Sequence, residues 1–107
     1  MLNTLRTLRS RLLTDKKVSK LEEAAQLHTK GEFSKSFPIY AELAEEGHVL
    51  SQRFLGWLYF RGEGVEVDLD KAIFWLESAA RQGDVEAMFG AGRAYMSKKG
   101  AIIESGV

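Results

Sequence analysis

The chain has 107 residues, enough for one small domain, and this length disfavours a catalytic cleft between two lobes. A hydrophobic fraction of 45% with a single proline indicates a folded, mostly helical chain, and the absence of cysteine excludes disulfides and thiolate metal ligands. The formal net charge of zero combines two opposite parts: residues 1–20 carry six cations and one anion, and the remainder carries nine cations and fourteen anions.

Residues 1–17 are expected to form a basic N-terminal helix or arm. In a helix, five leucines would share one broad face, with Arg9 inside that face. We favour a helix that covers the end of the domain; an arm that contacts an anionic membrane or nucleic acid, and a targeting segment, are the alternatives. Arginines interrupt the leucines, and no apolar run approaches the roughly 18 residues of a membrane span, so we expect a cytoplasmic protein.

The rest of the chain repeats itself at an offset of 36 residues. Gly47 and Gly83 are related by this offset, and so are Gly56 and Gly92. Further pairs at the same offset are Ala44 and Ala80, Tyr59 and Tyr95, Gly64 and Gly100, and Lys35 and Lys71. Such self-similarity predicts stacked helical hairpins. We place unit 1 at 18–47, unit 2 at 48–83 and an incomplete unit 3 at 84–107.

Unit 1 contains two helices joined by a shorter hairpin than that of unit 2. Pro38 falls within its second helix, where proline removes a backbone donor. Either this helix starts as late as Ser34, or it bends at the proline.

Unit 2 shows helical apolar spacing on both sides of the segment "GEGVEV". Asp68 is the expected N-cap of the second helix, and Gly47 and Gly83 are expected to end helices as C′ glycines. Gly56 and Gly92 fall inside helices, where glycine costs about 1 kcal/mol relative to alanine. Because both units carry a glycine at this position despite its cost, we expect the same reason in each unit, namely the close approach of a partner helix.

The segment "FRGEGVEVDLDKA" has the glycine spacing of a phosphate loop, but its context argues against one. A helix rather than a strand precedes it, and Val67 stands where a dinucleotide fingerprint has its third glycine. The nearby acids would repel phosphate, and their order does not match a calcium loop. The segment is therefore predicted to be a solvated hairpin between two helices.

Unit 3 begins like unit 2 and then stops. Its first helix is present, and "KKGAIIE" matches the hairpin, with Glu104 in the place of Asp68. The second helix is missing, so apolar surface should stay uncovered. The alternatives are a fragment of a longer chain, self-association through the incomplete third repeat, and a tail that folds back; we favour the first two.

The stretch from Ser51 to Gly92 resembles the Sel1-like repeat (SLR) family, which is related to tetratricopeptide repeats. The family pattern is carried by Ser51, Leu55, Gly56, Tyr59, Gly62, Gly64, Val65, Asp68, Lys71, Ala72, Trp75, Ala79, Ala80 and Gly83. Only Ser51 departs from it, where the family has alanine. The resemblance implies an all-α fold, an α/α solenoid of antiparallel helix pairs in a tetratricopeptide-like superhelix, that serves as a scaffold for protein–protein contacts.

Nothing in the sequence predicts catalysis, a cofactor or a metal site. His28 and His48 lack metal-ligand spacing, and no nucleophile motif occurs. We interpret His28 as a packing residue and His48 as a surface residue. Some cysteine-rich members of the family are linked to hydrolysis, but this chain has none of their cysteines.

The resemblance implies that the first helix of each unit lines the concave, partner-binding side. Residues there at positions that the family leaves variable are Arg53, Trp57, Phe60, Arg61, Phe89, Arg93 and Met96. Such a Trp/Phe/Arg surface is typical of interface hot spots; alternatively, Phe60 and Phe89 pack against neighbouring helices and Trp57 covers the open end. We predict a non-catalytic scaffold that binds another protein or peptide. The alternative is an adaptor whose residues 1–17 dock on an anionic membrane or nucleic acid.

Overall fold

The computed structural model describes the backbone of residues 2–105 and the side chains of Leu8, Lys16 and residues 18–100. Over that range the chain forms helices joined by short loops, with no strand. The helices are α1 (Leu2–Thr29), α2 (Phe33–Glu45), α3 (Val49–Arg61), α4 (Leu69–Arg81) and α5 (Val85–Ser105). Each helix packs against the next one in the chain, and α5 also touches α3. The all-α prediction is confirmed, with neighbouring helices packed as in a helical repeat.

Helix α1 joins two segments that the sequence analysis separated. The basic residues 1–17 and the first helix of unit 1 form one continuous helix. Within its described part, Ala24 is fully buried and packs with Tyr40 and Leu55 in a core shared by α1, α2 and α3. Most side chains of residues 1–17 lie outside the described residues, so the leucine face and its role stay predictions.

The hairpin of unit 2 has the predicted form. Gly62 ends α3 in the left-handed conformation, with a φ of 71°, and Gly64 follows with a φ of 78°. The Oδ1 atom of Asp68 accepts a hydrogen bond of 3.0 Å from the backbone N–H of Lys71, which makes Asp68 the N-cap of α4. Glycine at the two left-handed positions avoids the steric cost of a Cβ atom, so the loop turns where the glycines stand.

The hairpin predicted in unit 3 is wrong. Helix α5 continues to Ser105, and Gly100 lies within it rather than in a turn. The position equivalent to Gly62, 36 residues further on, is Lys98, and a non-glycine residue rarely adopts the left-handed conformation that ends α3. Without that stop the helix runs on, and Glu104 does not serve as a cap between two helices.

The first half of α2 also differs from one expectation. Helix α2 begins at Phe33, so Pro38 lies in its second turn, and the later start at Ser34 is wrong. Pro38 is exposed, so water can bond the carbonyl oxygen that the missing N–H leaves free.

The core between α3, α4 and α5 is centred on Leu76, which is fully buried. A Cβ atom on Gly56 would lie 2.6 Å from Leu76 Cγ, and one on Gly90 would lie 3.0 Å from Leu76 Cδ2. Leu76 is thus wedged between a glycine of α3 and a glycine of α5. The predicted close approach is confirmed at Gly56 and wrong at Gly92, where a Cβ atom would meet nothing within 4 Å.

Candidate functional site

Four of the residues that the sequence singles out meet on the surface of α3 and α5. The Trp57 and Phe60 rings lie 5.4 Å apart in an edge-to-face contact. The guanidinium carbon of Arg61 lies 5.0 Å from the centroid of the Trp57 ring, and that of Arg93 lies 5.5 Å from it. Arg93 also lies 5.9 Å from the Phe60 centroid. We call these four residues the cationic aromatic cluster.

The cluster has a supported base and an exposed rim. Trp57 and Phe60 are half-buried and pack against the core around Leu76. The Trp57 ring reaches to 3.1 Å from the place of a Cβ atom on Gly90, so the missing side chain makes room for the indole. Arg61 and Arg93 are exposed. Packing fixes the rings, while both cations stay accessible to a partner.

Arg53, predicted for the same surface, is engaged elsewhere. Its Nε atom lies 3.1 Å from Asp84 Oδ2 without the alignment of a hydrogen bond, and its guanidinium also pairs with Glu86. The Arg53 side chain is only 16% exposed. Asp84 in turn accepts a hydrogen bond of 2.9 Å from the backbone N–H of Ala87 and so caps α5. Arg53 therefore links unit 2 to the start of unit 3.

A groove of about 320 Å³ runs between α1 and α3 beside the cluster. Its main side chains are His28, Tyr40, Arg53, Phe54, Trp57 and Arg61. The His28 Nε2 atom lies 3.4 Å from Glu63 Oε1, which ties α1 to the loop that follows α3. Burial raises the pKa of Tyr40, so this phenol stays neutral. We call this feature the α1–α3 groove; it places Trp57 and Arg61 along one wall.

Phe89 and Met96 do not join the cluster. They are 74% and 70% exposed and lie on another face of α5. Val85, Met88 and Gly92 line the same surface, which Arg93 of the cluster borders, and Tyr95 is exposed at its other edge. We call the six residues other than Arg93 the α5 stripe. Three of its apolar residues were missed in the sequence analysis, although their helical spacing from Phe89 could have found them.

Both histidines make structural contacts. His48 is the N-cap of α3: its ring accepts from the backbone N–H of Ser51 at 3.3 Å, and its Nδ1 lies 2.8 Å from Ser51 Oγ. This contact gives the buried serine a partner where the family has alanine. His28 packs against the Phe33 ring, with centroids 5.1 Å apart. Within the described side chains, no group of acids and histidines is arranged to hold a metal ion.

The role predicted for residues 1–17 on a membrane or nucleic acid lies largely outside the described residues. In the part of the chain that is described, no helix combines the length and apolar character needed to cross a bilayer.

Comparison with known proteins adds two similarities. Residues 49–84 match the family model of the Sel1 repeat. A 64-residue stretch is 38% identical to a putative sel1-like repeat-containing protein, L21, of Acanthamoeba polyphaga mimivirus. That stretch covers 60% of this chain and 12% of the relative, so the chain spans only a small part of the relative's length. No solved structure matches significantly.

Proposed function

Residues 49–84 are a Sel1 repeat, as the sequence predicted, and from this premise we propose that the chain is a non-catalytic scaffold that binds another protein. Sel1 repeats generally mediate protein–protein interaction. The surface that we assign to the partner is the cationic aromatic cluster together with the α1–α3 groove beside it. A cytoplasmic location stays a prediction.

The observation that carries this assignment is the pair of guanidiniums over one tryptophan ring, at 5.0 and 5.5 Å from its centroid. Tryptophan and arginine are the residues most enriched at interface hot spots. Because Trp57 and Phe60 are already held against the core, a partner loses little free energy in ordering them. The cluster thus offers preformed apolar area with two cations at its edge.

The charge of the cluster indicates the chemistry of the bound segment. Among the described side chains, no carboxylate lies within ion-pair distance of Arg93, and Arg61 has only the contact of 3.9 Å with Glu63. Carboxylates of a partner can form charge-assisted hydrogen bonds with each of the two guanidiniums. The surface therefore suits a peptide segment with acidic residues next to a large apolar side chain.

The test is a selection of displayed random peptides for binding to the folded protein, followed by affinity measurements with the selected peptides. Arg61→Glu and Arg93→Glu should each weaken binding of selected acidic, apolar-containing peptides at least about 10-fold. Lys35→Glu on α2 and Arg81→Glu on α4 are matched controls, since each replaces an exposed cation that pairs with a glutamate. The controls should bind as the parent does.

Two results would contradict the proposal. One is a selection without any enriched peptide, which would leave the cluster without a ligand. The other is equal binding by all four folded variants, which would place the site on a different surface.

A further inference from the structure

The hydroxyl of Tyr40 has no hydrogen-bond partner among the described residues. Tyr40 is only 3% exposed, and its ring lies against the Phe54 ring with centroids 5.3 Å apart. Burial alone raises the pKa of this phenol, whereas a hydrogen bond to Glu77 is the main cause that raises the pKa of Tyr95. Buried polar groups in folded proteins are nearly always hydrogen-bonded, so the Tyr40 hydroxyl stands out as a group able to bond a ligand.

This hydroxyl opens into the α1–α3 groove. Among the described side chains, the only fully enclosed nitrogen or oxygen atom without a hydrogen bond is Arg53 Nε. The Tyr40 hydroxyl therefore keeps contact with the molecular surface, and the surface that Tyr40 lines is the α1–α3 groove. The groove thus carries a hydroxyl that can donate a hydrogen bond to an occupant or accept one from it.

The walls beside this hydroxyl are aromatic. The rings of Tyr40, Phe54 and Trp57 all line the groove. Its volume of about 320 Å³ lies at the small end of the range of about 300–1,000 Å³ that ligand pockets span. Aromatic rings favour edge-to-face and offset contacts with one another, so a space of this size between three rings suits a single aromatic side chain.

The charges along the groove favour a neutral occupant. Arg53 pairs with two carboxylates at the start of α5. The Glu63 carboxylate lies 3.4 Å from His28 Nε2 and 3.9 Å from the guanidinium of Arg61. An anion inside the groove would be repelled by Glu63, a cation would be repelled by the arginines, and either would lose its hydration. The side chain that suits the groove is therefore uncharged and mostly apolar, with a polar tip for the hydroxyl of Tyr40.

We propose, building on the proposed function, that the α1–α3 groove binds a tyrosine side chain of the partner segment, whose phenolic hydroxyl forms a hydrogen bond with the hydroxyl of Tyr40. Tyrosine is the neutral aromatic side chain whose tip both donates and accepts. Phenylalanine would leave the Tyr40 hydroxyl unpaired, and tryptophan, which only donates, would leave its proton unpaired. Trp57 and Arg61 belong to both the groove and the cationic aromatic cluster, so acidic residues beside this tyrosine reach Arg61 and Arg93.

The test is a double-mutant cycle, measured by titration calorimetry, between the protein and a selected peptide with tyrosine at an enriched position. Replacing that tyrosine with phenylalanine, and Tyr40→Phe in the protein, should each weaken binding at least about 5-fold, because each leaves one hydroxyl unpaired in the complex. The two changes together should weaken binding little more than either alone, because no unpaired hydroxyl then remains. This coupling is specific to a direct contact between the two hydroxyls.

Tyr59→Phe is the matched control. It removes the same hydroxyl from a half-buried tyrosine that contacts Phe37 and Lys71 instead of lining the groove, so it should bind the peptide as the parent does. The melting temperature of Tyr40→Phe should be no lower than that of the parent, because the hydroxyl forms no hydrogen bond in the unbound protein. A loss of binding by Tyr40→Phe is then due to the missing hydroxyl and not to a damaged fold.

The proposal is overturned by enriched peptides without a recurrent tyrosine, or by effects of the two changes that simply add in free energy. A clear drop in the melting temperature of Tyr40→Phe would also overturn it, since the hydroxyl would then have a partner within the fold. Peptides that lose affinity with Arg61→Glu but not with Tyr40→Phe would support the proposed function and overturn this inference alone. A selection without any enriched peptide would overturn both.

Discussion

Replacing Gly56 with alanine tests how tightly α3 and α4 are packed. The added methyl carbon would lie 2.6 Å from Leu76 Cγ, 3.0 Å from Leu76 Cδ2 and 3.2 Å from the carbonyl oxygen of Ala72. Leu76 cannot move aside easily, because it is fully buried and Gly90 of α5 lies on its other side. The helix itself would have to shift.

Two opposing contributions determine how much Gly56→Ala changes the free energy of unfolding. Alanine is about 1 kcal/mol better than glycine inside a helix, whereas overpacking a well-filled core costs about 1–3 kcal/mol. Because Leu76 is held on both sides, we expect an overpacking cost in the upper part of this range. After the gain in helix propensity is subtracted, Gly56→Ala should lower the free energy of unfolding by about 1–2 kcal/mol. The melting temperature should fall by roughly 5–15 °C.

Gly92→Ala is the matched control, at the equivalent position of the next unit. A Cβ atom there meets nothing within 4 Å, so only the helix term remains and the variant should be more stable than the parent by about 0.5–1 kcal/mol. The measurement is urea unfolding followed by circular dichroism, at a dilution where sedimentation shows monomers. A Gly56→Ala variant as stable as the parent would refute the reasoning.

Two further predictions concern polar contacts of α5. Asp84→Ala should lower the free energy of unfolding by about 2 kcal/mol, because it removes the cap of α5 and one carboxylate beside the mostly buried Arg53; unchanged urea unfolding would contradict this. The Glu77 carboxylate accepts a hydrogen bond from the hydroxyl of Tyr95. It raises the pKa of that phenol, chiefly through this hydrogen bond and then through the negative charge of the carboxylate. Glu77→Gln should therefore let Tyr95 ionise at lower pH in an absorbance titration, and an identical titration curve would show that the contact is absent in solution.

The local features of the fold could be predicted because single residues decide them. Gly62, Gly64 and Asp68 together specify the hairpin of unit 2, through two left-handed positions and one side-chain cap. The hairpin predicted in unit 3 depended on the equivalence of Gly100 with Gly64. That prediction failed because Lys98 stands at the position equivalent to Gly62, the glycine that ends α3. The residue at this one position therefore decides whether the helix ends, even where the neighbouring residues follow the repeat pattern.

The candidate site could be predicted in part. Trp57, Phe60 and Arg61 share one face of α3 at a helical spacing, so their meeting follows from periodicity. The pairing of Arg53 with Asp84 depends on how α5 crosses α3, which no periodicity within one helix reveals. The division of α5 into a cluster side with Arg93 and a stripe side is likewise set by packing against α3 and α4.

The central claim, that a partner segment binds on the cationic aromatic cluster, is tested most directly by nuclear magnetic resonance on the two tryptophan indole N–H groups. Trp57 belongs to the cluster, whereas Trp75 is a half-buried residue of α4 that packs against the core shared by α1, α2 and α3. On addition of a selected peptide, the account predicts that the Trp57 signal moves with saturation while the Trp75 signal stays in place. Movement of Trp75 with a stationary Trp57 would contradict the account.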